Sequence, residues 1–410
     1  MRWSRIIRLM NADLELLQPY PFEKLRQLLA GIEPISLEPI ALSVGEPRHP
    51  APQLVLDALV AGIRKVENYP STRGHDALRE AMANWICQRF NIDSSRADTL
   101  ADHHVIPVTG TREGLFAIAQ CVLDRTKNTR TALMPNPFYQ IYEGAALLAG
   151  CQPDFYAIDE NADANIDAIS DAQFEQCQLI YICTPGNPTG AVNSKPGLQR
   201  LIEKAHKHDF VIVSDECYSE IYREDKGAPC GLLQAANDMG LNSFERCIVF
   251  HSLSKRSNLP GLRSGFAAGD AAVIKRFVEY RTYQGCSMSG AVQDASVAAW
   301  EDETHVVANR QAYDEKYKAA AEILSPVLNI DIPPAGFYLW PQLPVDDQTF
   351  TQQLLQNYNV RAVPGSYLAR AVDGYPNPGD KRLRLALVAP LDDCVAASKR
   401  IVSCLNDMIN

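Results

Sequence analysis

The stretch Cys247-Ile248-Val249-Phe250-His251-Ser252-Leu253-Ser254-Lys255-Arg256-Ser257-Asn258-Leu259-Pro260-Gly261-Leu262-Arg263 decides how the chain is read. Its first four residues form an unbroken apolar run, the pattern of a short buried strand. Lys255 therefore sits just past the carboxyl end of a strand, where open α/β sheets place their ligands. Ser252 and Ser254 flank it with hydroxyls, and Arg263 adds a second cation. A lysine so placed can grip a phosphate, or it can be an amine kept partly neutral so that it attacks a carbonyl. Alone, it reads as one more solvated loop lysine. The surrounding clusters tip the balance.

Outward from this stretch the same unit repeats. Val105–Val108 is apolar and leads into Thr109-Gly110-Thr111-Arg112-Glu113-Gly114 and a helical stretch to Val122. Thr131–Met134 is followed by Pro135–Tyr139 and a helix to Leu148, which Tyr139 opens. Leu179–Cys183 precedes Thr184-Pro185-Gly186-Asn187-Pro188-Thr189-Gly190 and a helix over Gln199–His206. Phe210–Val213 ends in Ser214-Asp215-Glu216-Cys217-Tyr218, and Ser264–Ala268 is a further strand. Strands alternating with helices predict an α/β layer with a mostly parallel central sheet flanked by helices. Each polar cluster follows a strand, so all are expected along one edge of that sheet.

Upstream, a helix is expected within Leu14–Leu29, broken early by Pro19 and Pro21 and stopped at Gly31. A strand at Ile40–Val44 and helices at Gln53–Val66 and Asp76–Phe90 follow. Downstream, a long helix over Asp302–Leu324 leads to strands at Gly336–Leu343 and Arg382–Val388. Helices at Thr349–Asn357 and Cys394–Met408 complete a smaller α/β domain.

The bulk numbers exclude several classes. A formal net charge of -10 over 410 residues argues against a nucleic-acid partner. No apolar run has the length of a membrane span. The eleven cysteines show no paired spacing that would make a metal site. Their odd number, without a secretory signal, points to reduced thiols and a cytoplasmic location. Cys183, Cys217 and Cys247 adjoin apolar runs and read as small core residues. His103, His104, His206 and His208 have no metal-binding spacing and read as structural or surface residues. The basic stretch Met1–Met10 is interrupted by arginines and makes a poor signal peptide; it reads as a short transit peptide or, more simply, as an extension or an upstream start with Met10 the effective beginning.

The clusters carry chemistry in combination. Thr109–Gly114 offers free N–H groups at a helix start, which suits a dianionic phosphate. Ser252 and Arg263 could add a hydroxyl and a fork of charge to it. Asp215 ends an apolar run, where a carboxylate is costly unless paired. It is either a structural cap or the partner of a cationic ring nitrogen. Tyr218 and Asn187 are potential donors to a phenolic oxygen, and Tyr139 could stack on a flat ring; each is otherwise a plain core or turn residue. A phosphate cradle, a carboxylate for a pyridinium, two donors, a stacking aromatic and an amine together match pyridoxal 5′-phosphate.

Asn187-Pro188-Thr189-Gly190, Asp215-Glu216-Cys217-Tyr218, Ser252-x-Ser254-Lys255 with Arg263, and Arg384 in Arg382-Leu383-Arg384-Leu385-Ala386 resemble the fold-type I aminotransferases of class I/II. The motifs keep that family's order and spacing from about Leu14 onward. The resemblance implies that Lys255 holds the cofactor covalently and that Asp215 pairs with its ring nitrogen. It implies that Asn187 and Tyr218 bind the ring hydroxyl, that Tyr139 stacks on the ring, and that Thr111, Arg112, Ser252 and Arg263 take the phosphate. Arg112 is a departure, because smaller residues are common there. Tyr69 would reach the site of a second subunit, which implies a homodimer. Arg384, helped by the Gly45 backbone, would take the substrate α-carboxylate.

The domain division implied is an N-terminal arm over 1–47, a large cofactor-binding domain over 48–305 and a small domain over 306–410. Within the family, Leu17–Phe22, Gly45–Pro50, Pro135–Tyr142 and Ser254–Gly261 resemble the subgroup acting on N-succinyl-LL-2,6-diaminopimelate. That implies ping-pong exchange with 2-oxoglutarate in lysine and diaminopimelate biosynthesis, with Arg48 or Arg73 on the distal carboxylates. The alternatives are a broad aspartate, alanine or aromatic aminotransferase, a carbon–sulfur β-lyase, and a regulator built on the same fold. The regulator would need a DNA-binding domain for which the family-like region leaves no room.

Overall fold

The computed structural model describes residues 10–158, 161–372 and 374–409. Of the N-terminal stretch Met1–Met10, residues 1–9 lie outside them. Strand β1 (Ile40–Ala41) comes first. Seven strands then build one sheet: β2 (Val105–Val108), β3 (Thr131–Asn136), β4 (Gln152–Ala157), β5 (Cys177–Cys183), β6 (Val211–Asp215), β7 (Cys247–Ser252) and β8 (Gly265–Gly269). Their spatial order is β2-β8-β7-β6-β5-β3-β4. Neighbours run parallel except at β8, which is antiparallel to both β2 and β7. The link from β7 to β8 holds the Lys255 turn instead of a full crossover helix, so the chain returns antiparallel. The expected α/β layer with a mostly parallel sheet is what forms.

Both faces of the sheet are covered. In β5 and β7, Ile180, Ile182, Cys247 and Val249 enter one core, while Leu179, Tyr181, Ile248 and Phe250 enter the other. Burial on both faces explains the continuous apolar runs, and it leaves the strand ends as the place for polar side chains.

A third core joins the two ends of the chain. Strands β9 (Tyr338–Leu339), β10 (Val360–Arg361), β11 (Val363–Pro364) and β12 (Leu383–Ala386) follow the long helix Thr304–Leu324. The order β11-β12-β9 forms an antiparallel sheet, and β1 pairs in parallel with β10. Ile40 and Leu42 thereby pack with Tyr317, Leu324, Phe350 and Leu383.

Several local expectations change. The helix expected in Leu14–Leu29 is a 3-10 turn at Ala12–Leu16 and a helix at Pro21–Leu28. Pro21 starts that helix instead of breaking it, because the first helical residue needs no N–H partner. The strands expected at Ile40–Val44 and Gly336–Leu343 shrink to two residues each. The helix at Gln53 stops at Ala61, capped by Gly62, and a 3-10 segment covers Ile63–Glu67. Tyr139 lies just ahead of the helix Ile141–Leu148. The helix Gly290–Glu301 was not anticipated, because its buried face is mostly small: Gly290, Ala291, Ala295, Ser296 and Ala299. Strand β4 was missed because an edge strand beginning Gln152-Pro153-Asp154 has little apolar signal.

Candidate active site

Strand β7 is buried along its whole length and delivers Ser252 to the sheet edge. The Ser252 Oγ accepts from the Ser254 amide at 3.1 Å and caps the short helix Leu253–Arg256. Lys255 lies in that turn, and its Nζ donates to the Gly45 carbonyl. Burial draws the amine down from its ordinary value to about 8, with Arg384 and Arg112 adding to the effect and Cys217 and Glu46 opposing it. A lysine so depressed is partly neutral near neutral pH, as a nucleophile and proton carrier requires.

Strand β6 delivers Asp215, which is buried. Its Oδ2 accepts from the Tyr142 hydroxyl at 2.7 Å and its Oδ1 from the Cys217 amide at 3.3 Å. Burial pushes the carboxyl up, and the bonds from Cys217 and Tyr142 pull the other way. Tyr218 is also buried, with its hydroxyl 3.0 Å from that of Tyr338. Burial holds its phenol well above the ordinary value, so it stays a donor.

The start of the helix Thr111–Val122 faces the same space. Gly110 precedes it at φ 94, and a Cβ there would collide with the Arg263 guanidinium. Glycine is therefore favoured by backbone sign, and any side chain there would displace the Arg263 guanidinium. Arg263 itself has φ 54 and donates from Nη1 to the Pro260 carbonyl at 2.8 Å. The Cys217 thiol donates to Thr111 Oγ1 at 3.0 Å.

From the other side, β12 brings in Arg384. Its Nη1 donates to Asn187 Oδ1 at 3.2 Å and its Nη2 to the Ser43 carbonyl at 2.8 Å. The guanidinium lies 4.8 Å from the Tyr338 ring and 5.9 Å from that of Phe22.

These side chains line one cavity of about 390 Å³. Gly45, Thr111, Arg112, Tyr139, Asn187, Asp215, Tyr218, Ser252, Lys255, Arg263 and Arg384 all border it. Arg112 does so through its side chain: its Nε donates to the Tyr139 hydroxyl at 2.7 Å. Tyr69, Arg48 and Arg73 do not line the cavity. All three are exposed, and Arg73 donates to the Asp102 carbonyl at 2.5 Å. Sequence reasoning missed Tyr142 and Tyr338, whose apolar surroundings give no hint of a polar task. It also assigned no role to Tyr20, Phe22 or Glu46, which line the cavity too.

The residues fit pyridoxal phosphate on three counts. Among the described residues no basic side chain forms an ion pair with the buried Asp215 carboxylate, and a protonated ring nitrogen would supply the missing charge. The missing side chain at Gly110 lets the Arg263 guanidinium sit against the start of the helix Thr111–Val122, a cation and free N–H groups together where a phosphate would lie. The Arg384 Nε is buried without a partner, a free donor for a carboxylate.

Residues 38–397 match the family described as aminotransferase class I and II. The chain is 29% identical over 398 residues to an LL-diaminopimelate aminotransferase from Maridesulfovibrio salexigens, covering 95% of this chain and 97% of that one. It is similar to the crystal structure of an aminotransferase from Neisseria meningitidis Z2491, with 43% identity, a TM-score of 0.89 and coverage of 96% and 99%. A probable N-succinyldiaminopimelate aminotransferase from Thermus thermophilus has 26% identity, a TM-score of 0.80 and coverage of 93% and 99%.

Proposed function

The chain belongs to the class I and II aminotransferases, which depend on pyridoxal 5′-phosphate, and on that premise we propose that it exchanges an amino group between N-succinyl-LL-2,6-diaminopimelate and 2-oxoglutarate. The biosynthetic direction would serve lysine and diaminopimelate formation in the cytoplasm. The observation that carries the reading is the pairing, in one cavity, of the partly neutral Lys255 with the buried, cation-free Asp215 and the partly unpartnered Arg384.

When bound, the cofactor supplies a carbonyl carbon for the donor nitrogen and an electron-withdrawing ring that makes the α-proton removable. The residues do the rest. Arg384 takes the α-carboxylate, with Nε free to donate, and Asn187 holds the guanidinium plane. Lys255 Nζ, as a free amine, would take the proton from the substrate α-carbon and hand it to the cofactor carbon bonded to the same nitrogen, and would carry it back in the other half of the exchange. Asp215 holds positive charge at the ring nitrogen. Tyr218 and Asn187 would donate to the ring oxygen. Thr111, Ser252 and Arg263 hold the phosphate.

The succinylated donor has anionic groups far from its reacting end. Arg112 lines the cavity and forms no ion pair among the described residues, which makes it a better distal contact than Arg48 in the same chain. The expected result is that Arg112→Ala raises KM for succinylated diaminopimelate by about tenfold and changes KM for alanine little. Arg48→Ala is expected to do less. Equal losses on long and short donors would remove Arg112 from the distal site.

A second reading, LL-diaminopimelate itself as donor, is favoured by the name of the Maridesulfovibrio relative. A donor panel against 2-oxoglutarate separates the two, and kcat/KM for unmodified LL-diaminopimelate above that for the succinylated form would overturn the first. Aspartate, alanine and aromatic donors belong in the same panel. Pyruvate released from cystathionine without any keto acid would mark a lyase.

The assembly belongs to the same reading: an arm to residue 47, a large domain over 48–305, a small domain over 306–410, and two copies per molecule. Val60, Ile63, Val66 and Tyr69 are all exposed within ten residues of chain, an apolar concentration a monomer seldom leaves uncovered. A second copy covering it would also carry Tyr69 and Arg73 toward its partner's site. Sedimentation is expected to give a dimer that Ile63→Asp dissociates. A monomer at micromolar concentration would exclude shared sites.

A further inference from the structure

The long helix Thr304–Leu324 presents Asn309, Tyr313 and Lys316 on one face, as the spacing of four and three residues requires. Lys316 is 2% exposed. Among the described residues no carboxylate lies within ion-pair distance of it, and its hydrogen-bond partner is His49 Nε2 at 2.6 Å. A buried ammonium held by an imidazole and the face of the Tyr313 ring, 5.1 Å away, with no carboxylate beside it, is costly, and such a cost is kept where it serves a purpose.

The polarity of the contacts is fixed by chemistry. An ammonium only donates, so His49 Nε2 must accept, and the ring proton sits on Nδ1. Nδ1 then donates to Asn309 Oδ1 at 2.7 Å. That orients the Asn309 amide nitrogen toward the carbonyls of Lys255 at 3.3 Å and Arg256 at 3.4 Å. The wire therefore ends on the backbone of the catalytic turn. Its middle member, His49, belongs to the same loop as Gly45, whose carbonyl accepts from Lys255 Nζ. The other groups facing His49 and Lys316 are the Tyr313 ring, 4.7 Å from the imidazole, and the Cys394 thiol near Lys316. Burial lowers both His49 and Lys316; the Asn309 bond opposes this at His49 and Lys316 lowers it further, so the neutral ring is favoured.

We propose that Lys316, His49 and Asn309 are a positioning relay that fixes the Gly45 loop against the Lys255 turn. None of the three lines the cavity. The relay ties one end of Lys255 to Asn309 through its carbonyl and the other end to Gly45 through its amine. Reversing any dipole in it turns the Asn309 oxygen against two carbonyls and loosens the loop that shields the amine.

The test uses the full-length apoenzyme and does not depend on which donor the enzyme prefers. Competitive acetylation, read on the peptide containing Lys255, gives the titration midpoint of that amine, expected near 8 in the wild type. His49→Leu, Asn309→Asp and Lys316→Met each break the polarity, and each is expected to move the midpoint up by about one unit as water reaches the amine. His49→Gln keeps an acceptor for Lys316 and a donor for Asn309, and is expected to hold the wild-type midpoint. If His49→Leu does not fold, Lys316→Gln, which still donates, against Lys316→Met gives the same contrast. Lower melting temperatures with an unmoved midpoint would reduce the three residues to ordinary packing and overturn the relay. So would an equal shift in His49→Gln and His49→Leu.

Discussion

Lys255→Ala is expected to lose roughly 10⁴-fold or more of transaminase turnover, because one group both bonds the cofactor and moves the α-proton. Borohydride treatment followed by peptide mapping checks the assignment: the wild-type label falls on Lys255 and the variant takes none. A label on another lysine, with turnover kept, would move the role elsewhere. The same change has an opposite effect on the apoprotein. The folded state holds Lys255 near 8, below its ordinary value of 10.5. Between those two pH values the unfolded chain binds more protons, so wild-type stability rises with pH across that window. At pH 7 the buried ammonium is a net cost that alanine removes. The variant's melting temperature relative to wild type is therefore highest at pH 7 and falls as pH climbs from 8 to 10.5.

Asp215→Asn is expected to lower kcat by about 10²–10³-fold with the fold retained. The amide keeps the shape, and its one oxygen can still accept from the Cys217 amide while its NH2 donates to the Tyr142 hydroxyl, which turns to accept. It cannot stabilise a positive charge on the ring nitrogen, and charge-assisted bonds of this kind contribute about 1.5–3 kcal/mol. Cofactor affinity should weaken by about 10- to 100-fold on that ground. Equilibrium dialysis measures the affinity and circular dichroism the fold. Near-normal turnover and affinity together would leave Asp215 a structural cap.

The large sheet was legible because its strands are buried on both faces and read as apolar runs; Cys177–Cys183 and Cys247–Ser252 are examples. The polar clusters after those runs could be placed on one edge for the same reason. What resisted reading was set by tertiary contact. The helix Gly290–Glu301 packs through small residues, and β9 is two residues long because its neighbours, not its own pattern, decide where pairing ends. In the site, charged residues announced themselves, whereas Tyr142 and Tyr338 did not. A tyrosine in an apolar segment looks like core until the partner of its hydroxyl is known. Arg48 and Arg73 were placed by their nearness in sequence to Gly45 and Tyr69; in the single chain both are exposed and away from its own cavity, while Arg112 lines it.

The antiparallel position of β8 bears on the order in which the protein is made. Strand β2, which launches the phosphate cradle, is an edge strand whose one neighbour among the described residues is β8, so residues 105–108 wait for residues 265–268 to leave the ribosome. Arg263, whose guanidinium fills the space beside Gly110, arrives with them. The cavity is closed last of all by Arg384, when the chain is nearly finished. A nascent or C-terminally truncated chain thus has no complete place for the cofactor, and uptake of the coloured ligand reports a finished molecule. Because binding stabilises only that finished form by mass action, cofactor supply in the cell would set how much of the newly translated protein escapes degradation.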